Sequence, residues 1–100
     1  MASMEIHEKD CMWFFNKPYT EIHNFLDSCA SKFPPNKYAE YHRSFLHNSY
    51  GTNIILVFYG DEEYKAALVH IYRDWTYLNP QNKSLVYIIN KMEKEILPDL

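Results

Sequence analysis

The chain has 100 residues, 47% of them hydrophobic and 17% aromatic, with a formal net charge of -3. That is the size of one domain, long enough to bury a core and too apolar for disorder. The acidic balance and the lack of a basic run speak against nucleic acid as a partner, and no stretch reads as a signal peptide or membrane span.

Breakers divide the chain at Pro18, Pro34-Pro35, Gly60, Pro80 and Pro98. Met1 to Ser3 precede a second methionine, Met4, and read as a cloning remnant outside the fold. Residues 4–17 have weak periodicity, and Met12, Trp13, Phe14 and Phe15 form an apolar knot expected to pack over the helices. A first helix is expected from Thr20 to about Phe33, with Ile22, Phe25, Leu26, Cys29 and Phe33 on one stripe. Pro34-Pro35 stops it, and Asn36 is an N-cap for the next. Tyr38, Tyr41, His42, Phe45, Leu46 and Ser49 share the following helical face.

The run from Thr52 to Tyr59 is β-branched and aromatic, so a buried strand and a helix both fit. The helix is preferred, since no second strand of similar character offers a partner. The second helix would then run from Tyr38 through Gly51 to Tyr59, apolar all round in its second half and therefore central and buried. Gly60 is expected as its C-cap and Asp61 as the next N-cap. Tyr64, Ala67, Leu68, Ile71, Tyr72 and Trp75 form the next stripe. Asn79-Pro80 signals a last helix start, followed by the stripe Leu85, Val86, Ile88, Ile89, Met92 and Ile96. The expected architecture is all-α, a compact single-domain bundle of about four helices with a long buried central helix.

Four of the five histidines, His23, His42, His47 and His70, lie within these apolar-periodic segments. Two have an acid one helical turn on, His23 with Asp27 and His70 with Asp74. Imidazole and carboxylate at that spacing can ligate a divalent metal, and His23, Asp27, His42, His70 and Asp74 are the candidate ligands. The same spacing also suits ordinary helix-surface pairs. His47 falls about 140° from His42 on an ideal helix, so both reach one ion only if the helix distorts near Gly51. Arg43, His47 and Asn48 are instead candidates for contacting a small anionic ligand, and Arg43 could equally pair with Asp27 or Asp74 in a buried network. Cys11 and Cys29 form no metal-type spacing and read as reduced thiols of a cytoplasmic protein. Cys11 near His7 is no more than a Cys/His proximity in sequence.

The ordered elements Tyr19-x-x-Ile22-His23-x-Phe25-x-Asp27, His42-Arg43-x-x-Leu46-His47-Asn48-x-x-Gly51, Phe58-x-Gly60 and His70-x-x-x-Asp74 resemble a group of small uncharacterised helical proteins of bacteria and their phages. The resemblance spans residues 19 to 80. It implies a helical fold and a helix continuous through Gly51, and it brings no established activity. A more distant comparison, with metal-dependent phosphohydrolases of the His-Asp type, stops at their doublet, because no His-Asp dipeptide occurs in this chain.

Three functions compete on these residues. The preferred one is a small binding or regulatory module that captures a protein or small ligand, of phage origin if the resemblance holds. Its contacts would be aromatics such as Trp13, Tyr38, Tyr77 and Tyr87. The second is a metal-dependent hydrolase of a phosphate-containing substrate, with a divalent ion as its one cofactor. The third makes the His/Arg/Asp set a packing network without a ligand.

Overall fold

The computed structural model describes residues 3–28 and 46–100, and among these there are helices and turns but no strand. The first helix, α1, spans Met4–Phe15 and starts at Ser3. Ser3, set apart on sequence grounds, is part of the fold: its Oγ accepts from the Ile6 N–H at 3.3 Å, closing one of the free amides of the first turn. The helix stops at Asn16, which takes a left-handed φ of 58° that asparagine tolerates better than most residues. Its inward face is His7, Asp10 and Cys11, at i, i+3 and i+4, rather than the expected aromatic knot. Met12 and Trp13 point outward, Trp13 65% exposed, while Phe14 and Phe15 pack against the core.

Helix α2, Thr20–Leu26, is entered through Tyr19 at φ 52° and gives way to a turn at Asp27 and Ser28, short of the expected Phe33. The expected features at Cys29, Pro34-Pro35, Asn36, Tyr38, His42 and Arg43 lie outside the described residues.

Helix α3, Ser49–Phe58, confirms the helical reading of the ambiguous run but overturns the long central helix. Asn48 is extended, with φ -159° and ψ -178°, and its side chain accepts from the Gly51 N–H at 3.1 Å, so a new helix starts here. Gly51 is therefore no tolerated defect in a continuous helix. A Cβ built on it would stand 2.0 Å from the Leu46 carbonyl oxygen. The chain folds back so closely at His47 and Asn48 that only glycine fits. The second half of α3 is not buried all round either: Ile55 is enclosed, whereas Val57 and Phe58 are 76% and 78% exposed.

The central element is α4, Asp61–Thr76. It packs against α1, α2 and α3, and against α5, Leu85–Lys91. Small residues at Ala66 and Ala67 permit close approach, and Leu68, Val69, Ile71 and Tyr72 carry the burial outward in several directions. Each fully buried aliphatic side chain of this kind is worth roughly 1.5–3 kcal/mol. Gly60, at φ 128°, closes the end of α3 through its N–H to the Ile55 carbonyl and serves as the N-cap of α4 in place of Asp61.

After α4, Asn79 and Pro80 open a single 3-10 turn, Pro80–Asn82, rather than the last helix. The helix itself starts from Ser84, whose hydroxyl accepts from the Tyr87 N–H at 3.1 Å. It continues through a π-helical turn, Met92–Ile96, and a 3-10 turn, Leu97–Asp99. A radius of gyration of 12.4 Å is that of a compact 100-residue body. Among the described residues, no helix is long and apolar enough to cross a membrane.

Candidate metal centre

Polar side chains rarely bury without partners, yet His7, His23, His47, His70 and Asp74 are all at most 1% exposed. They meet because three helices and one chain reversal come together here. Helix α4 presents His70 and Asp74 one turn apart on its inward face. Helix α2 supplies His23 and, at its C-cap, Asp27. The reversal before α3 aims His47 at them, and α1 adds His7 from the other side.

Four donor atoms converge on one point. His47 Nε2 lies 3.1 Å from His70 Nε2. Asp74 Oδ2 lies 3.0 Å from His47 Nε2 and 3.3 Å from His70 Nε2. Asp27 Oδ1 lies 3.3 Å from His70 Nε2 and 3.8 Å from His47 Nε2. A tetrahedron with metal–donor bonds of about 2.0–2.1 Å has edges of about 3.3–3.4 Å, the middle of this range. The His47 and His70 ring planes are inclined at 65°, so their in-plane lone pairs can point to a common centre. Two carboxylates bring two negative charges, which a divalent ion cancels. Asp27, 24% exposed at its side chain, is the one member open to solvent.

His7, His23 and His70 also lie close together. Their rings do not converge in the same way. His7 stacks on His70 with centroids 3.6 Å apart and planes within 12° of parallel. A ligated ion lies near the plane of each imidazole, and two parallel planes that far apart share no such point. His23 Nε2 lies 2.8 Å from the Pro18 carbonyl oxygen, and its Nδ1 lies 2.9 Å from His70 Nδ1. His7 Nε2 stands 3.2 Å from Asp74 Oδ1, the oxygen turned away from the four-donor centre, without the angle of a hydrogen bond.

The electrostatics follow from this packing. Burial would lower the His70 pKa, but Asp27 and Asp74 beside it outweigh burial and raise it. Burial would raise Asp74, yet the His47, His7 and His70 imidazoles packed around it hold its carboxyl far below the usual range. His23 is pushed down to about 3 by burial and by the neighbouring His70 and His7. His7 is lowered chiefly by burial.

The residues singled out in the sequence thus fall into three groups. Asp27, His47, His70 and Asp74 come together at the four-donor centre, and His23 sits directly behind His70. Asn48 caps α3. His42 and Arg43 lie outside the described residues. The sequence marks His7 only for its nearness to Cys11 and does not mark Asp10, although the spacing of the three defines a buried helix face. Asp10 takes a bidentate pair from Arg73, Nε at 2.6 Å and Nη2 at 2.8 Å, and a hydrogen bond from Gln81 at 2.9 Å. This pins α1 to α4 beside the centre. Cys11, fully buried, has its thiol pushed up to about 12 by burial and then by Asp10, and is no thiolate donor.

No protein family, curated protein or solved structure matches the chain.

Proposed function

We propose that this domain binds one divalent transition-metal ion through Asp27, His47, His70 and Asp74, and that the ion serves hydrolytic chemistry. The observation that carries the reading is the convergence of two imidazole nitrogens and two carboxylate oxygens within 4.8 Å of one another, with the separations that involve the imidazoles between 3.0 and 3.8 Å. Structural zinc sites are usually rich in cysteine, whereas mixed imidazole and carboxylate sets are typical of sites that activate water. Asp27 is the one ligand whose side chain reaches solvent, although its donor atom Oδ1 is itself buried. A phosphate ester is the substrate class to screen first, since an anionic group would add a ligand to the ion.

The test is elemental mass spectrometry of protein purified without chelator or metal-affinity resin, on the wild type and on His70→Ala. About one equivalent of zinc, manganese, iron or nickel, absent from His70→Ala, supports the reading. Metal-free wild-type protein that also refuses added ions sinks it.

A second reading, capture of a protein partner, draws on the outward-facing aromatics Trp13 and Tyr77, 65% and 70% exposed. It predicts no loss of function on removal of metal.

A further inference from the structure

The protons of this cluster can be placed from one fixed point. A carbonyl oxygen only accepts, so the 2.8 Å contact between Pro18 O and His23 Nε2 puts a hydrogen on that nitrogen. Both nitrogens of the buried His23 ring are accounted for, one by Pro18 and one by His70 Nδ1 at 2.9 Å. Neither contact is with a carboxylate, and a buried ring in that setting carries one proton rather than two. His23 Nδ1 is then a bare lone pair. The facing His70 Nδ1 must hold the hydrogen between them. A neutral His70 with its hydrogen on Nδ1 has its lone pair on Nε2, the atom that faces His47, Asp27 and Asp74.

We propose that His23 is a positioning residue: by accepting the His70 Nδ1 hydrogen it locks the His70 ring in the tautomer that offers Nε2 to the ion. The inference rests on the metal-centre reading and deepens it, since it makes His23 a support of a ligand and not itself a ligand. The anchor is the Pro18–Tyr19 turn. Tyr19 holds a left-handed φ of 52°, uncommon for a bulky residue, and is tied down by a hydrogen bond from its hydroxyl to Glu62 and by an edge-on contact with Phe15. A turn held this firmly keeps the Pro18 carbonyl aimed at His23. Ligating histidines in metal proteins typically give their other ring N–H to such a partner, and loss of the partner costs roughly 10–100-fold in affinity.

Two measurements decide it. Ring-nitrogen NMR on the metal-free wild type, at a pH alkaline enough to make the imidazoles neutral, should show His70 protonated on Nδ1 and His23 on Nε2; His70 protonated on Nε2 overturns the proposal. Zinc affinity, read by competition with a chromophoric chelator, should fall roughly 10–100-fold in His23→Leu. It should largely recover in His23→Asn, whose amide oxygen can stand near the lost Nδ1 and accept the same hydrogen. Unchanged affinity in a folded His23→Leu protein overturns the proposal. A wild type that takes up no zinc overturns the metal centre, and the ring NMR still decides the tautomer without it.

Discussion

His47 and His70 meet Nε2 to Nε2 at 3.1 Å, and both atoms close on the same Asp74 oxygen. Two bare lone pairs at that distance repel. A hydrogen on one of the two nitrogens or a metal ion must lie between them. An ion satisfies all four atoms at once, whereas a proton serves two.

Replacement of Asp74 by asparagine keeps shape and one oxygen while removing a charge. Asp74→Asn is expected to weaken zinc binding at least about 100-fold, since loss of a ligand costs no less than loss of a supporting partner. Competition with a chromophoric chelator measures it, and affinity within threefold of wild type would remove Asp74 from the centre.

Stability of the metal-free protein should pass through a maximum near neutral pH. His23 is held down to about 3 in the folded chain, against about 6.5 unfolded, so between these values the unfolded state binds one proton more. Stability is therefore lost as pH falls through that window, at about 1.4 kcal/mol per pH unit for this group, and His7 acts in the same sense. His70 has the opposite sign: its raised pKa contributes stability that is complete below about 6.5 and disappears as pH rises through the folded value. Urea unfolding between pH 4 and 9 with chelator present tests this. A flat acid limb would contradict the buried, neutral state of His23 and His7.

Gly51→Ala should destabilise. At an ordinary helical position alanine would gain up to about 1 kcal/mol over glycine. Here the new methyl meets the Leu46 carbonyl at 2.0 Å, and a clash with backbone costs roughly 1–3 kcal/mol. Since Leu46 adjoins His47, zinc affinity should fall too. A raised melting temperature would show that the reversal has room to spare.

Asp10→Ala removes the buried partner of a part-buried ion pair, leaving Arg73 its bond to Asn79 and taking from Gln81 its side-chain acceptor. The expected loss is about 1–3 kcal/mol in chemical denaturation. A loss under about 1 kcal/mol would mark the pair as solvent-screened.

The sequence was most legible on α4. His70 and Asp74 stand one turn apart on a long, strongly patterned helix, and helical spacing alone joins them. The same rule applied to His23 and Asp27 paired them with each other, but the two His23 nitrogens go to His70 and Pro18 while Asp27 caps the helix and faces the other side of His70. His47 was set apart from the metal ligands because its direction was projected along an unbroken helix. The break at Asn48 frees it from that projection, and the break is a backbone close approach that a hydrophobicity pattern does not register. Asn48 preceding Gly51 by three was the available clue. His7 was obscured by the aromatic run beside it, Met12 to Phe15, half of which faces outward.

The four donors also have a consequence for how the chain closes on itself. They enter at Asp27, His47, and His70 with Asp74, so an ion at the centre ties three distant points of the sequence into loops of roughly 20 residues each. Such a clip acts as a reversible crosslink: it excludes the more open arrangements of the chain and adds its binding free energy to folding. Chelation would then loosen more than a site. It would release the hinge at Asn48 from α4 and lower the melting temperature by an amount set by the free concentration of metal.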